Sequence, residues 1–340
     1  MKVDSLLVAE LPLAGERAKR LEDLGFDGCA SIETGHDPFL PLALAATHTD
    51  RLELSTAIAV AFARNPMTLA MTASDLQRLS RGRFALGLGS QIRPHIERRF
   101  SMPWSKPAAR MRELILAVRA IWSSWESGEK LDFRGEFYTH TLMTPFFNPG
   151  PSGLPAPQIA LAAVGERMTE VAGEVADRIL VHGFTTERYL RTTTLAALQR
   201  GRERAGRGGD AVAVCISPFV VTGVDEQTRL TAERTVRQQI AFYGSTPAYR
   251  PVLEAHGWGE LQDELNAMSK RGQWEQMPAL ITDEMLHAFA VVGGVDEIAG
   301  MILQRYGDVA DRVGVPAPLH ADPDQLRGLV AALRAPVAAA

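Results

Sequence analysis

The sequence predicts a closed (β/α)₈ barrel, the TIM-barrel form of the α/β class. Short runs rich in apolar and β-branched residues alternate with helical patterns along almost the whole chain. Strands separated by helices pair in parallel, because each crossover returns the chain to the same end of the sheet. About eight such units follow one another, and this number favours a closed barrel over an open doubly wound sheet.

Each predicted strand is followed by a predicted helix, and local signals mark several boundaries. Asn65 and Pro66 are the N-cap and first-turn residues typical of a helix start, and Gly25 closes the first helix. The predicted strands and the helices that follow them are Val3–Val8 with Leu13–Leu24, Asp27–Ile32 with Phe39–His48, Leu52–Ile58 with Pro66–Leu79, Arg83–Leu88 with Lys106–Trp125, Gln158–Ala162 with Arg167–Ala176, Arg178–His182 with Glu187–Ala205, Val212–Thr222 with Asp225–Phe242, and His287–Val292 with Val295–Tyr306.

Two segments interrupt this alternation. Residues 128–157 contain five prolines and predict a loop insertion before the fifth strand. Residues 244–284 are polar and predict two or three short helices before the eighth strand. Loops of this length inside a compact domain are usually lids or interface elements. We therefore expect one barrel domain over residues 1–340 with these two insertions, ending in a helix at Pro323–Leu333.

The composition argues against several partners and locations. The 340 residues include 36 Lys and Arg against 40 Asp and Glu, a net charge of −4 that does not suit binding to nucleic acid or to an anionic membrane. No stretch reaches the ~18 unbroken apolar residues of a membrane helix, and Asp4 and Glu10 interrupt any signal-peptide core. Cys29 and Cys215 lie far apart in apolar runs and suit reduced thiols. We expect a cytoplasmic protein.

A barrel enzyme carries its active site at the carboxyl ends of the strands, so the residues that follow each strand are the first candidates. Glu33, His36 and Asp37 follow the second predicted strand. A histidine beside two carboxylates can act as an acid, a base or a hydrogen-bonding group. The alternative is that Asp37 or Thr34 caps the next helix and that His36 only fills the rim.

Glycines mark two further strand ends. Gly87 and Gly89 end the fourth strand, where they either let a ligand approach the backbone or let the strand pack tightly. They do not form a dinucleotide fingerprint, because Ile92 stands in place of the third glycine. Gly165 opens the fifth helix, whose free backbone N–H groups offer a seat for a phosphate, although small residues are common at helix starts.

The sequence contains no HExxH motif, no P-loop and no GxSxG elbow, which argues against metal, nucleoside triphosphate and serine-hydrolase chemistry. An apolar run over 57–63 reaches the rim, where it either walls an apolar pocket or packs under a loop. A mostly apolar mouth with few ionisable groups suits an organic cofactor that performs the difficult step. We therefore expect such a cofactor, a small-molecule substrate and no metal.

Several segments resemble the luciferase-like monooxygenase superfamily and, within it, the branch that uses the deazaflavin coenzyme F420. The most specific are RLELSTAIAVA (51–61), the Asn65-Pro66 helix start and LSRGRFALGLG (79–89). AGEVADR (172–178) is similar to the family's A-G-x-x-A-D-G segment, with arginine in place of the last glycine. Further segments similar to the deazaflavin branch are Leu180-Val181-His182, Ala241-Phe242-Tyr243 and Val291-Val292-Gly293.

The resemblance implies the same barrel with a flavin or deazaflavin in its mouth. It implies a non-prolyl cis peptide at the end of the third strand, which by position joins Ala57 to Ile58. His36 matches a histidine that the sugar-phosphate dehydrogenase branch places beside the reactive carbon. The positions matched to the ring edge are Gly89, Ser90 and Gln91, and those matched to the cofactor's phosphate region are Ala163, Val164 and Gly165.

The chain departs from the sugar-phosphate dehydrogenases, because Gln91 and Ile92 stand where that branch has a catalytic glutamate. The resemblance implies an F420-dependent oxidoreductase that exchanges a hydride between deazaflavin C5 and an organic substrate, with His36 as the candidate proton donor. One alternative is an FMN-dependent monooxygenase that activates oxygen. Another is a flavin- or deazaflavin-binding protein without turnover. The resemblance also implies a homodimer.

Overall fold

Eight parallel strands close into a barrel in the computed structural model, which describes residues 1–317 and 322–335. The strands pair in chain order, and β8 completes the ring by pairing with both β1 and β7. The predicted fold class is therefore confirmed. The barrel strands are β1 (Lys2–Leu6), β2 (Gly28–Ser31), β3 (Glu53–Thr56), β4 (Phe84–Gly89), β5 (Gln158–Ala163), β6 (Arg178–Val181), β7 (Ala213–Ile216) and β8 (Arg312–Gly314).

Helices surround the barrel, and in the described residues none is long and apolar enough to cross a membrane. α3 begins as predicted, because the Asn65 side chain accepts a hydrogen bond from the Thr68 N–H at 3.0 Å. The helices are α1 (Ala14–Asp23), α2 (Leu40–His48), α3 (Pro66–Leu79), α4 (Pro107–Ser127), α5 (Glu166–Val175), α6 (Glu187–Tyr189), α7 (Leu195–Arg204), α8 (Glu226–Gly244), α9 (Arg250–Glu254), α10 (Gly259–Lys270), α11 (Asp283–Phe289), α12 (Ile298–Tyr306) and α13 (Pro323–Arg334).

The first predicted insertion, residues 128–157, lies along the outside of α3 and α4. Glu113 of α4 accepts a hydrogen bond from the backbone N–H of Phe137 at 2.7 Å. Gln77 of α3 donates one to the carbonyl of Pro155 at 2.8 Å. Through these contacts the proline-rich segment packs against α3 and α4. The short strands outside the eight barrel strands are Ala59–Val60, Phe133–Arg134, Thr139–His140, Phe219–Val221 and Ala290–Val292.

The position predicted for the eighth strand is wrong. The first half of His287–Val292 is the end of α11, and the second half, Ala290–Val292, is a strand that pairs with Phe219–Val221 outside the barrel. The barrel is closed instead by β8, a three-residue strand that begins with Arg312. A short segment that contains an arginine lacks the continuous apolar run typical of a buried strand. As a result, α12 precedes the eighth strand and α13 follows it.

The predicted seventh strand, Val212–Thr222, is two strands. β7 ends at Ile216, and the chain resumes as a strand at Phe219. Pro218 lies between them and has no N–H group to donate to a strand partner, which explains the break. The second piece leaves the barrel and forms a separate two-stranded sheet.

The chain from residue 219 to residue 292 forms what we call the cap. Most of its buried apolar side chains form a hydrophobic cluster separate from the cluster of the barrel. α8, predicted as the seventh barrel helix, contributes Val236 and Ile240 to the cap cluster. Phe184, which follows β6, also belongs to this cluster, so the cap lies against the carboxyl end of β6. The predicted insertion at 244–284 is the middle of this larger cap.

Both cysteines are free thiols, in line with the sequence prediction. Cys29 is buried on β2, and Cys215 is half-buried on β7. Burial raises the pKa of Cys215 to about 12, so its thiol stays protonated and unreactive at neutral pH.

Candidate active site at the barrel mouth

Ion pairs that cross the barrel identify the side chains that face its interior. Glu53 on β3 binds Arg312 on β8 at 3.0 Å and Arg178 on β6 at 2.8 Å. No two of these strands are neighbours in the ring, so the three side chains meet inside it. Asp4 on β1 joins them by accepting a hydrogen bond from Arg312 at 2.7 Å. We call these four residues the amino-end network. Because side chains alternate between the two faces of a strand, every second residue from a member of this network also points into the barrel.

Nearer the carboxyl ends of the strands, most inward positions hold small residues. Leu6 and Ile32 also point inward, yet 46% and 40% of their surfaces stay exposed. Side chains that filled the barrel would bury one another, so the carboxyl end, which we call the mouth, is an open cavity. The small inward-facing residues are Ala30, Ser55, Ala57, Gly87, Gly89, Ala160 and Ala162.

Three of the predicted cofactor residues lie together on one side of the mouth. The peptide bond between Ala57 and Ile58 is cis, as the resemblance implied. The Ile58 carbonyl accepts a hydrogen bond from the Glu33 N–H at 3.2 Å, which joins the ends of β2 and β3. A Cβ at Gly89 would come within 2.8 Å of Ile58 Cγ1, so Gly89 lies directly against Ile58.

Tight strand packing explains the two glycines of β4. A Cβ at Gly87 would lie 1.7 Å from the carbonyl oxygen of Thr56 on β3. The Thr56 hydroxyl also donates to the Gly87 carbonyl at 2.6 Å and accepts from the Gly87 N–H at 2.9 Å. For Gly87, the structure therefore supports packing of β4 against β3. Ser90 and Gln91 follow in a turn, with Gln91 in the left-handed region at φ 57°.

The predicted phosphate-side residues lie on the next strand end. The register of β4 and β5 places Ser90 beside Ala163 at the mouth. Val164 and Gly165 follow, and α5 begins immediately after them at Glu166. A Cβ at Gly165 would have no atom within 4 Å, so the space in front of the free N–H groups of α5 is open.

His36 stands apart from these residues. It is exposed on the loop after β2, and its ring forms no hydrogen bond within residues 1–317 and 322–335. Asp37 accepts hydrogen bonds from the N–H groups of Phe39 at 2.8 Å and Leu40 at 3.2 Å at the start of α2, so the capping alternative is right for Asp37. Glu33 is paired with Arg64 at 2.6 Å. Both carboxylates near His36 in sequence are therefore engaged elsewhere.

The apolar run after β3 packs under a loop. Phe62 is fully buried and meets Trp104 edge to face, with 5.8 Å between the ring centroids. Trp104 belongs to the loop between β4 and α4, and the guanidinium of Arg110 lies 4.8 Å from the Phe62 ring on another side. The later part of the run, around Phe62, is therefore packed under a loop, whereas its first residues, Ala57 and Ile58, lie at the mouth.

The structure adds His182, which the sequence analysis noted only as part of a similar segment. His182 follows β6, and the register of β5 and β6 places it beside Val164. Two cap residues flank its ring: the ring centroids of Tyr243 and Tyr249 lie 4.6 and 5.0 Å away. A histidine at the carboxyl end of a strand is the signal that points to His36, and the same signal could have identified His182.

His182 is neutral, with its proton on Nε2. Its Nδ1 accepts a hydrogen bond from the Phe184 N–H at 2.9 Å and therefore carries no proton. Burial lowers the pKa of His182 to about 4. Burial also raises the pKa of Tyr243 and of Tyr249, so both phenols keep their protons. Neither Nε2 nor either hydroxyl has a hydrogen-bond partner in the described part of the chain.

Comparisons with known proteins place this geometry in context. A sequence profile of luciferase-like monooxygenases matches residues 7–312. An uncharacterized protein of Mycobacterium tuberculosis is 56% identical over 92% of both chains. A 5,10-methylenetetrahydromethanopterin reductase of Archaeoglobus fulgidus is 26% identical over 82% of both chains. The coenzyme F420-dependent tetrahydromethanopterin reductase from Methanopyrus kandleri superposes with a TM-score of 0.76 at 20% identity, covering 97% of this chain and 96% of that one.

The structural comparison supports the fold, whereas the sequence profile supports the family. The structural likeness at 20% identity shows a shared barrel fold. The profile match runs from the end of β1 to the start of β8 and includes the segments that form the mouth. The chain therefore belongs to the luciferase-like monooxygenase family.

Proposed function

We propose that the protein is a coenzyme F420-dependent oxidoreductase that transfers a hydride between the deazaflavin and a small organic substrate. The observation that carries this proposal is the open mouth, where small inward-facing residues leave Leu6 and Ile32 exposed inside the barrel. A tricyclic ring needs such a cavity with mostly apolar walls. The similarity to methylenetetrahydromethanopterin reductases, one of which is described as F420-dependent, supports this choice of cofactor.

The residues present fit a cofactor of this kind. Ala57, Ile58 and Gly89 would lie against the ring system, and Ser90 and Gln91 along its edge. The backbone from Ala163 to Gly165 and the open space before α5 would receive the phosphate region. When bound, the deazaflavin supplies the carbon that donates or accepts the hydride. The surrounding residues position the substrate and exclude water, and His36 remains a candidate proton donor from the rim.

The same mouth would accept FMN, so the main alternative is an FMN-dependent monooxygenase, and a second is a cofactor-binding protein without turnover. Fluorescence titrations of the purified full chain with F420 and with FMN distinguish the cofactors. We expect F420 to bind at least about tenfold more tightly than FMN. We also expect oxidation of reduced F420 by candidate enones or imines at the same rate with and without oxygen. Oxygen-dependent turnover with FMN would overturn the proposal, as would F420 binding without any turnover.

Filling the mouth tests where the cofactor binds. Ala162 faces the mouth from β5, so Ala162→Phe places a ring in the space proposed for the deazaflavin. We expect F420 affinity to fall by about a hundredfold or more, because the two rings cannot share that space. Ala196→Phe is the matched control, since Ala196 is exposed on α7 and belongs to no barrel strand. Unchanged F420 affinity in a folded Ala162→Phe variant would show that the cofactor binds elsewhere.

A further inference from the structure

Aromatic side chains enclose the space around His182. Besides Tyr243 and Tyr249, Phe184 lies 5.2 Å from Tyr249 between ring centroids, and Phe219 is stacked on Tyr243 at 6.4 Å. Phe219, Tyr243 and Tyr249 come from the cap, whereas His182 and Phe184 follow β6. The cap and the barrel therefore build this aromatic enclosure jointly, next to Val164 and the proposed cofactor position.

The polar groups of His182, Tyr243 and Tyr249 are neutral hydrogen-bond donors. The Nε2–H of His182 and the hydroxyls of Tyr243 and Tyr249 have no partner among the described residues. Arg250, which follows Tyr249 in the chain, is engaged by Glu254 at 2.7 Å and Asp263 at 2.8 Å. An enclosure of apolar ring faces with unpaired neutral donors selects for an uncharged hydrogen-bond acceptor.

We propose that His182, together with the hydroxyls of Tyr243 and Tyr249, binds the carbonyl oxygen of an uncharged ketone or enone substrate with a planar, apolar body. The apolar body would pack against the rings of the enclosure, and the oxygen would accept hydrogen bonds from the unpaired donors. A carboxylate or phosphate in the same place would lose its hydration without gaining a cation, and that loss is costly. His182 is thus assigned as a substrate-binding residue that determines specificity.

This inference rests on the proposed function for the role of the bound carbonyl compound. His182 lies beside Val164, so an oxygen held by Nε2 would place the adjacent carbon toward the cofactor position. The binding step itself involves only residues of this chain. It can therefore be measured without the cofactor.

The test compares two probes that share one ring system. Acetophenone is an uncharged aryl ketone, and 4-acetylbenzoate is the same ketone with a carboxylate. Binding to the full chain is measured by ligand-observed NMR at pH 7, with and without F420. We expect acetophenone to bind in both cases and 4-acetylbenzoate to bind at least about tenfold more weakly. Equal affinity for the two probes, or no binding of acetophenone, would overturn the proposal.

Two substitutions of His182 distinguish the loss of its hydrogen-bond donor from a disturbance of the local structure. His182→Asn places an amide oxygen near the Nδ1 position, where it can still accept from the Phe184 N–H, but removes the donor at Nε2. His182→Gln places an amide N–H near the Nε2 position. We expect acetophenone affinity to fall by about five- to tenfold in His182→Asn, and to stay within about threefold of wild type in His182→Gln. The control is His287→Asn, because His287 is exposed on α11.

The outcomes separate this inference from the proposed function. F420 affinity should not change in His182→Asn, because the residue is assigned to the substrate and not to the cofactor. If F420 fails to bind wild type while acetophenone binding still depends on His182, the proposed cofactor is wrong and the carbonyl site stands. If F420 binds and His182→Asn binds acetophenone like wild type, the cofactor proposal stands and the assignment of His182 is wrong.

Discussion

The two ends of the barrel interior are built from opposite kinds of side chain. At the amino end, Asp4, Glu53, Arg178 and Arg312 meet in a network of ion pairs. At the mouth, the inward residues are mostly alanine, glycine and serine, and the polar groups beside β6 are neutral. The first end is filled by paired charges, whereas the second is left open.

The difference between the two ends follows from the free energy that an unpaired polar group costs at each of them. A buried charge without a partner destabilises a fold by several kcal/mol, so each charge of the amino-end network contacts an opposite one. Neutral donors at a cavity that water can reach cost little when they are unpaired, and they stay available to a ligand. We therefore expect substitutions at the amino end to change stability, and substitutions at the mouth to change binding.

The largest effect on stability is expected from Arg312→Leu. This substitution leaves the carboxylates of Asp4 and Glu53 inside the barrel without their main partner. The free energy of unfolding, measured by urea denaturation at pH 7, should fall by about 3–5 kcal/mol. Arg327→Leu is the matched control, because the one ion pair of Arg327 within residues 1–317 and 322–335 is an exposed pair with Asp324, and its change should stay below about 1 kcal/mol. Equal effects of the two substitutions would contradict a structural role for the network.

The second effect is the response of the network to acid. Burial by itself would raise the pKa of Glu53, but the charges of Arg312, Lys2 and Arg178 outweigh it and lower the pKa from 4.5 to about 2. Because the folded state then binds the proton less readily than the unfolded state, the stabilisation is complete above pH 4.5. It disappears as the pH falls towards 2, and it amounts to about 3 kcal/mol.

Glu53→Gln measures this contribution. The variant should be less stable than wild type by up to about 3 kcal/mol at pH 7, and the difference should shrink steadily between pH 4.5 and pH 2. Urea denaturation of both proteins across this range provides the measurement. A difference that stays constant with pH would mean that the carboxylate charge of Glu53 contributes nothing to folding.

The smallest effect on stability is expected at the mouth. Tyr243→Phe and Tyr249→Phe each remove a hydroxyl without a hydrogen-bond partner in the described residues, so the free energy of unfolding should change by less than about 0.5 kcal/mol. Thr56→Val is the contrasting control. Its hydroxyl is buried between β3 and β4 and makes two hydrogen bonds to Gly87, so its removal should cost about 1–3 kcal/mol. A comparable loss in either tyrosine variant would show that the phenol stabilises the cap.

Local signals in the sequence were sufficient for much of the fold. The start of α3 was predictable, because Asn65 and Pro66 act within a single helical turn. The alternation of strands and helices predicted the barrel, since each element buries its own apolar face. The cis bond between Ala57 and Ile58 was found by resemblance, because its position is tied to the segments on either side of it.

The errors came from interactions between distant residues. β8 was missed because its arginine is compatible with a barrel interior only through Asp4 and Glu53, which lie 308 and 259 positions away. The sequence pattern predicts α8 as a barrel helix, because an amphipathic helix does not specify which apolar surface it covers. The pairing of Phe219–Val221 with Ala290–Val292 decides that the surface is the cap.

The order of secondary structure through β6, the family and the strand ends at which a cofactor is proposed could be predicted from the chain, because each depends on residues close to one another in sequence. The neutral histidine between two tyrosines could not be read in this way. His182, Tyr243 and Tyr249 come from separate elements, and they meet only when the cap folds onto the carboxyl end of β6. Their protonation and their freedom to bind a ligand follow from that burial, which is a property of the tertiary structure alone.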